Sequence, residues 1–288
     1  MTKFAMTFAG QGSQSPGMMA GLDAMPVVRR TFEEASVSIG VDFWKMVVEG
    51  PVELQNQTVN TQPLMLVAGV ATWRAWQERG GAAPSHFAGH SLGEYTALVA
   101  AGALAFNDAV PLVRFRAEAM QSAVPEGMGG MAAILGLDVE TVRQVCLDAA
   151  NGEVLEAVNL NSPGQIVVAG NHGAVVRGMV LAKERGAKRA LLLPMSVPSH
   201  CALLKPAADK LRGYLAAVNI KVPTIPVVQN ADVQSFATVD EIKNALVGQL
   251  YRPVRWIETI QMMAAAGATS VIECVPGKIL TGLNKRID

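Results

Sequence analysis

The sequence predicts an α/β protein, because short apolar segments of strand length alternate with longer segments of helical periodicity. Half of the 288 residues are hydrophobic and only 17% are charged, so the chain has enough apolar surface for a large core. It contains neither a low-complexity run nor a repeat of fixed period, which excludes disordered and solenoid architectures. This length suits one large domain, or one domain that carries a smaller insert.

Composition also limits the partners of the protein. The 24 basic and 24 acidic residues balance, and no basic stripe stands out, so we expect no nucleic-acid partner. The best apolar candidate, residues 63–70, is far shorter than the roughly 18 residues of a membrane span, and the N-terminus shows no secretory signal. Cys146, Cys201 and Cys274 are too far apart for a metal or redox motif, as is usual for reduced cytosolic thiols. We therefore expect a cytoplasmic protein with no membrane contact and no metal ion. We also expect no bound cofactor and a monomer, although composition does not determine the oligomeric state.

Before residue 127, glycines mark the ends of several predicted elements. The first strand runs into the loop 10–14, with the sequence GQGSQ, and Gly102 terminates the predicted helix 92–101. The predicted elements are, in order, a strand at 4–9, helices at 27–39 and 64–79, a strand at 85–88, and helices at 92–101 and 108–120.

The pattern changes near residue 127. The predicted elements that follow are a strand at 131–135, a helix at 139–150, strands at 154–160 and 166–169, a helix at 174–184 and a strand at 190–193. This β-α-β-β-α-β order is that of a ferredoxin-like unit. We therefore predict a small ferredoxin-like domain at 127–196, inserted into a large α/β domain formed by 1–126 and 197–288. After the insert we expect helices at 202–218 and 257–266, and strands at 225–228 and 270–274.

Residues 89–93, with the sequence GHSLG, match the Gly-x-Ser-x-Gly pattern of a nucleophile elbow. A serine on a tight strand-to-helix turn needs small neighbours, which Gly89 and Gly93 supply. Ser91 would also lie at a helix N-terminus, where backbone N–H groups stabilise a developing oxyanion. The predicted strand before the motif and the helix after it favour Ser91 as a nucleophile over a chance match.

A nucleophilic serine needs a general base, and the chain offers four histidines. His90 adjoins Ser91 on a tight turn and so points away from it. His86 lies on a predicted strand and His172 in a polar turn, which favours structural and solvated roles. His200 follows the rigid turn 197–199 where the chain re-enters the large domain, and it is the best candidate for the base.

Arg116 lies on an apolar face of the predicted helix 108–120, in contrast to Arg114, which has Glu118 at i+4 for a surface pair. A buried guanidinium needs an anionic or hydrogen-bonding partner, and no carboxylate lies three or four residues from Arg116. The residues alone leave two explanations open. Arg116 binds a carboxylate of the substrate, or it forms a structural salt bridge with a distant Asp or Glu.

Taken together, these motifs resemble those of the malonyl-CoA:acyl carrier protein transacylases of bacterial type II fatty acid synthesis. The Arg116 helix belongs to the resemblance, and the other matching stretches are GQGSQ at 10–14, GHSLGEY at 89–95, NSPGQ at 161–165, VPSH at 197–200, QLYRPV at 249–254 and PGK at 276–278. They span nearly the whole chain in the order of the family. The resemblance implies an α/β-hydrolase-like large domain with the ferredoxin-like insert, malonyl-CoA as substrate and acyl carrier protein as partner.

The resemblance also implies a role for each site residue. Ser91 would be the nucleophile and His200 the base, in a two-step transfer through a malonyl-serine. Backbone N–H groups of Gln11 and Leu92 would form the oxyanion hole. Two further implied roles are a carboxylate-binding Arg116 and a main-chain carbonyl of Gln249 that orients His200, so that no acidic triad member is expected.

Four basic residues cluster at the end of the predicted small domain: Lys183, Arg185, Lys188 and Arg189. We name them the basic patch. Carrier proteins are typically acidic, so the basic patch is a candidate docking site. A solvated helix end, favoured by the helix dipole, explains the same residues without a partner.

Three other functions are compatible with parts of the pattern. A carboxylesterase or thioesterase would share the elbow but would use an acidic residue to orient the histidine, and it would not need Arg116. An acyltransferase of polyketide synthesis would use the same chemistry as the fatty acid enzyme. A carrier-protein scaffold with a vestigial site would not need Ser91, His200 and Arg116 together.

Overall fold

The computed structural model describes residues 3–194, 197–274 and 276–288. The predicted end of the small domain at residue 196 therefore lies outside the described residues, as do the first two residues of the predicted large domain. Strands within the described ranges are β1 (Phe4–Phe8), β2 (His86–Gly89), β3 (Gly129–Leu135), β4 (Leu155–Ser162), β5 (Gln165–Asn171), β6 (Arg189–Leu192), β7 (Val227–Val228) and β8 (Ser270–Cys274). They form a parallel sheet in the order β7-β2-β1-β8 and an antiparallel sheet in the order β4-β5-β3-β6, which confirms the α/β class.

Helices surround both sheets. Those of the described residues are α1 (Pro26–Ile39), α2 (Phe43–Glu49), α3 (Val52–Asn56), α4 (Thr58–Glu78), α5 (Gly93–Ala100), α6 (Phe106–Ala123), α7 (Val139–Ala150), α8 (His172–Glu184), α9 (Lys205–Ala217), α10 (Val239–Gln249), α11 (Trp256–Ala265) and α12 (Ile279–Asn284). The predictions at 139–150 and 270–274 match α7 and β8. Helices α2, α3, α10 and α12 were not predicted. None of the helices in the described ranges is both long enough and apolar enough to cross a bilayer.

Helix α4 begins six residues earlier than the predicted start at residue 64, with Pro63 in its second turn. A proline inside a helix leaves the carbonyl four residues before it without its usual donor. Here that carbonyl belongs to Val59, and it accepts a hydrogen bond of 3.1 Å from the Arg114 guanidinium. Helix α4 is buried on nearly all sides, between α1, α5 and α6, which explains why its sequence has little amphipathic pattern.

The antiparallel sheet has two apolar faces. One face packs against α7 and α8 through a cluster that includes Ile134 and Val168. The other face contributes Met131 and Val167 to a small cluster that contains Cys201, next to His200. Strand β4 is also hydrogen-bonded to the main chain of Val254, at 2.8 and 2.9 Å. These contacts hold the antiparallel sheet against the carboxyl end of the parallel sheet.

Candidate active site

Ser91 lies on a tight turn between β2 and α5, with a left-handed φ of 51°. The turn requires its two glycines. A Cβ on Gly89 would lie 1.9 Å from the carbonyl of Gly93, and a Cβ on Gly93 would lie 2.1 Å from the carbonyl oxygen of Phe8. Since a non-glycine residue at positive φ is strained, the surrounding backbone must hold Ser91 in place.

His200 lies next to Ser91 at the edge of the cavity. Its Nε2 lies 2.7 Å from Ser91 Oγ, and its Nδ1 lies 2.7 Å from the main-chain oxygen of Gln249. Because a carbonyl only accepts, Nδ1 carries the proton and Nε2 is the acceptor for the serine hydroxyl. Among the residues that the structure describes, no Asp or Glu side chain is hydrogen-bonded to His200. Burial and the nearby Arg116 lower the pKa of His200 to about 3, so the imidazole is neutral at neutral pH.

Arg116 is buried beside the nucleophile, with Nη2 3.4 Å from Ser91 Oγ. Its partners are neutral amides: Nη1 donates to Gln62 Oε1 at 2.6 Å, and Nη2 donates to Gln249 Oε1 at 2.9 Å. The guanidinium also lies over the ring of Tyr95, 5.4 Å from its centroid. Within residues 3–194, 197–274 and 276–288, no carboxylate forms a salt bridge with Arg116. The alternative of a structural salt bridge therefore has no partner among the described residues, and the two amides fix the orientation of the guanidinium.

Asn230, which the sequence analysis missed, ties the nucleophile turn together. Its Oδ1 accepts the Ser91 N–H at 2.6 Å, its Nδ2 donates to the carbonyl of Gly89 at 2.6 Å, and its own N–H donates to Glu94 at 2.7 Å. The Ser91 N–H is therefore engaged and is not free to bind an oxyanion. Asn230 follows β7, at the carboxyl end of a parallel strand where ligand sites collect, and that position is the signal that could have identified it.

Gln11 and Leu92 both border the cavity that contains Ser91. The loop of Gln11 approaches the nucleophile turn closely, because a Cβ on Gly10 would lie 2.4 Å from the carbonyl oxygen of His90. The side chain of Gln11 donates to Thr58 Oγ1 at 3.2 Å, which holds the loop against α4. The structure thus brings together every residue of the predicted oxyanion hole and of the Ser–His–Arg set.

The cavity has a volume of about 490 Å³ and lies between the two sheets. The antiparallel sheet contributes Asn159, Asn161 and Val167 to its wall. His90 does not face Ser91; its Nε2 lies 2.8 Å from Asn161 Oδ1, and its ring packs against Trp256. His90 therefore joins the nucleophile turn to β4, in agreement with the prediction that it is not the base.

The basic patch is exposed at the edge of the antiparallel sheet. Arg185 forms a salt bridge with Asp148, and Lys183 donates to the carbonyl of Lys188 at 3.1 Å. Arg189 begins β6, and Leu193, just after that strand, borders the cavity. The basic patch thus extends from the end of α8 to the start of β6, the strand that leads to the active site.

Comparison with known proteins identifies the family of this chain. Residues 6–285 match the model of the acyl transferase domain. The chain is 54% identical over 288 residues to the malonyl CoA-acyl carrier protein transacylase of Escherichia coli K12, covering all of this chain and 93% of the relative. The chain belongs to the malonyl-CoA:acyl carrier protein transacylase family.

Solved structures of relatives agree with this assignment. The acyl-carrier-protein S-malonyltransferase of Burkholderia pseudomallei 1710b superposes with a TM-score of 0.98 at 58% identity, over 100% of this chain and 94% of the relative. A malonyl-transacylase solved in complex with the acyl carrier protein of a type II polyketide synthase superposes with a TM-score of 0.98 at 53% identity, over 99% of this chain and 93% of the relative. The mixed α/β fold of these relatives, with its parallel and antiparallel sheets, therefore extends along the described chain.

Proposed function

We propose that this chain transfers the malonyl group from malonyl-CoA to the phosphopantetheine thiol of an acyl carrier protein, and so supplies fatty acid synthesis. The observation that carries the proposal is the position of Arg116. A buried guanidinium held by two neutral amides, 3.4 Å from the hydroxyl that His200 activates, suits an acyl group that ends in a carboxylate.

The first half of the reaction forms a malonyl-serine. Nε2 of His200 takes the proton of the Ser91 hydroxyl, and Oγ attacks the thioester carbonyl. Backbone N–H groups of Gln11 and Leu92 stabilise the oxyanion, while the carbonyl of Gln249 keeps the imidazole in the required tautomer. The C–S bond then breaks, and the proton on His200 passes to the sulfur of coenzyme A, which leaves as a thiol.

The second half reverses these steps on a new thiol. His200 takes the proton of the phosphopantetheine thiol, the sulfur attacks the ester carbonyl, and Ser91 leaves with the proton returned by His200. The ester must be kept from water between the two steps. The cavity between the two sheets, which Ser91 borders, supports that requirement.

We also propose the finer description of the fold. The order β3-α7-β4-β5-α8-β6, with its four strands in one antiparallel sheet, supports a ferredoxin-like small domain at 127–196. The parallel sheet with its nucleophile turn after β2 supports an α/β-hydrolase-like large domain formed by 1–126 and 197–288. A monomeric state and a cytoplasmic location stay predictions.

The esterase alternative would need an acidic side chain on His200. In the part of the chain that the structure describes, a main-chain carbonyl takes that place, and Arg116 lies beside the nucleophile. Polyketide synthesis stays a second candidate pathway, since one relative was solved with a polyketide carrier protein. The transfer chemistry is the same in both pathways.

The test is the intact mass of the protein after brief exposure to malonyl-CoA. We expect one malonyl adduct, which maps to Ser91 and disappears when holo acyl carrier protein is added. Ser91→Ala should form no adduct while its circular dichroism and melting temperature stay close to those of the wild type. Steady release of free thiol without carrier protein would favour a thioesterase, and an adduct on Ser91→Ala would mean that another residue is the nucleophile.

A further inference from the structure

Glu94 is a buried acid beneath the active site that the proposed mechanism does not use. It lies in the first turn of α5, three residues after Ser91, and its exposed fraction is 0%. Oε2 accepts the N–H of Asn230 at 2.7 Å, whereas Oε1 makes no hydrogen bond within the described part of the chain. A fully buried carboxylate with one oxygen unpaired is costly, so this acid needs an explanation.

Charged and polar groups from several elements of the fold act on Glu94. Arg116 on α6 attracts its negative charge, and the side-chain amide of Gln249 on α10 also favours the charged form. Asp232, in the loop after β7, opposes that charge, although Arg252 pairs with Asp232 at 2.7 Å. Tyr95, the next residue on α5, contributes a neutral phenol whose own pKa burial raises to about 12.

The effect of burial on the pKa of Glu94 outweighs that of the neighbouring groups. Burial raises the pKa of Glu94 to about 7, in spite of the hydrogen bond from Asn230, the nearby amide of Gln249 and the attraction of Arg116. Near neutral pH the carboxyl group is therefore present in both states. A further negative charge placed beside Arg116 would shift it towards the protonated state.

We propose that Glu94 balances the charge of Arg116 in the empty site and takes up a proton when an acyl carboxylate pairs with that guanidinium. This inference rests on the proposed function, because it needs a malonyl group on Ser91. Without the proton, the buried site would hold one cation and two carboxylates. With the proton, it holds one cation and one carboxylate, and the repulsion between Glu94 and the acyl carboxylate is removed.

The acylation itself neither consumes nor releases protons, which makes the proposal measurable. The O–H bond of Ser91 and the C–S bond of malonyl-CoA break, while an ester C–O bond and the S–H bond of coenzyme A form. Near pH 7 the released thiol stays almost wholly protonated. His200 stays neutral, since its pKa is lowered to about 3. Any proton drawn from the solvent therefore reports on a group of the enzyme such as Glu94.

The decisive experiment follows proton uptake with a pH indicator in weak buffer at about pH 7, while intact mass counts the adduct in the same samples. Malonyl-CoA should draw a fraction of a proton per adduct, because part of Glu94 is charged beforehand. Acetyl-CoA, which has no carboxylate, should draw none. No uptake with malonyl-CoA, or equal uptake with both substrates, overturns the proposal. An absent malonyl adduct would instead overturn the proposed function.

Substitution of Glu94 tests whether this residue is the group that takes up the proton. Glu94→Gln keeps an acceptor for the Asn230 N–H but cannot titrate, so uptake should vanish although malonyl-CoA forms its adduct. Glu118→Gln is the matched control, an exposed acid on the helix of Arg116, and it should retain the uptake. Uptake that persists in Glu94→Gln overturns the assignment. If that variant does not fold, difference infrared spectroscopy of the wild type decides. Both acyl groups add an ester C=O stretch, but only malonylation should also add the C=O stretch of a protonated carboxyl group.

The same linkage predicts a pH dependence of binding. Because malonyl binding takes up a proton, the KM for malonyl-CoA should rise as the pH increases above about 7, by up to about tenfold per pH unit. The KM for acetyl-CoA should not follow this rise, and Glu94→Gln should flatten it for malonyl-CoA. A parallel rise for both substrates in the wild type contradicts the proposal.

Discussion

The main-chain oxygen of Gln249 accepts a hydrogen bond from His200 Nδ1 at 2.7 Å, and the side chain of the same residue binds Arg116 at 2.9 Å. Gln249 is the last residue of α10, where a helix leaves its final carbonyl groups without partners inside the helix. The free carbonyl is thus available to the imidazole. One residue thereby orients both the proposed base and the proposed carboxylate-binding group.

Gln249→Ala separates these two functions, because it keeps the carbonyl and removes the amide. Arg116 and the carbonyl of Ser91 each lose a hydrogen bond. A hydrogen bond to a charged group contributes about 1.5–3 kcal/mol, so kcat/KM for malonyl-CoA should fall by roughly 10- to 150-fold. Gln62→Ala is the matched variant, since it removes the other amide on Arg116 but no bond to Ser91. A loss for malonyl-CoA confined to Gln249→Ala would mean that the amides do not act through Arg116.

Arg116→Ala should change acyl selectivity. Loss of a buried charged partner costs about 2–5 kcal/mol, or roughly 30- to several thousand-fold in kcat/KM for malonyl-CoA. Transfer of acetyl, which has no carboxylate, should be kept or should increase. Arg116→Lys should restore malonyl transfer only partly, because an ammonium lacks the planar fork. Equal losses for malonyl-CoA and acetyl-CoA would make Arg116 a structural residue.

His200 should make the protein less stable in acid. Its pKa is about 3 in the folded state and 6.5 ordinarily, so between these values the unfolded chain binds more protons. The free energy of unfolding should therefore fall as the pH falls from about 6.5 towards 3. Urea denaturation of wild type and His200→Gln over this range measures the effect as the difference between the two curves. Glu94, whose folded pKa is raised, contributes with the opposite sign in both proteins and cancels in that difference. Parallel curves would contradict the low pKa.

Charge reversal in the basic patch should affect the carrier protein alone. Lys188→Glu combined with Arg189→Glu should raise the KM for carrier protein, most strongly at low salt, and leave the KM for malonyl-CoA unchanged. The control is Lys210→Glu with Arg212→Glu, which reverses the same number of charges on the exposed side of α9. If both substrates respond equally, or if the control has the same effect, the basic patch is only a solvated surface.

The order of elements and the chemical candidates were predictable from local patterns. The Gly-x-Ser-x-Gly turn follows from steric needs within five residues, and the buried character of Arg116 follows from the apolar face of its own helix. The helix α7 and the strand β8 have the expected bounds, because periodicity is a local property. Ser91, His200 and Arg116 were candidates for the same reason.

Only the tertiary structure decided the partners of these groups. Arg116 is held by amides of Gln62 and Gln249, which lie 54 and 133 residues away along the chain, and no local pattern distinguishes them from ordinary surface glutamines. Asn230 lies 139 residues from Ser91, and only the parallel pairing of β2 and β7 brings the two together. The buried state of Glu94 likewise depends on elements packed from three sides, since desolvation and the sum of distant charges are properties of the folded chain.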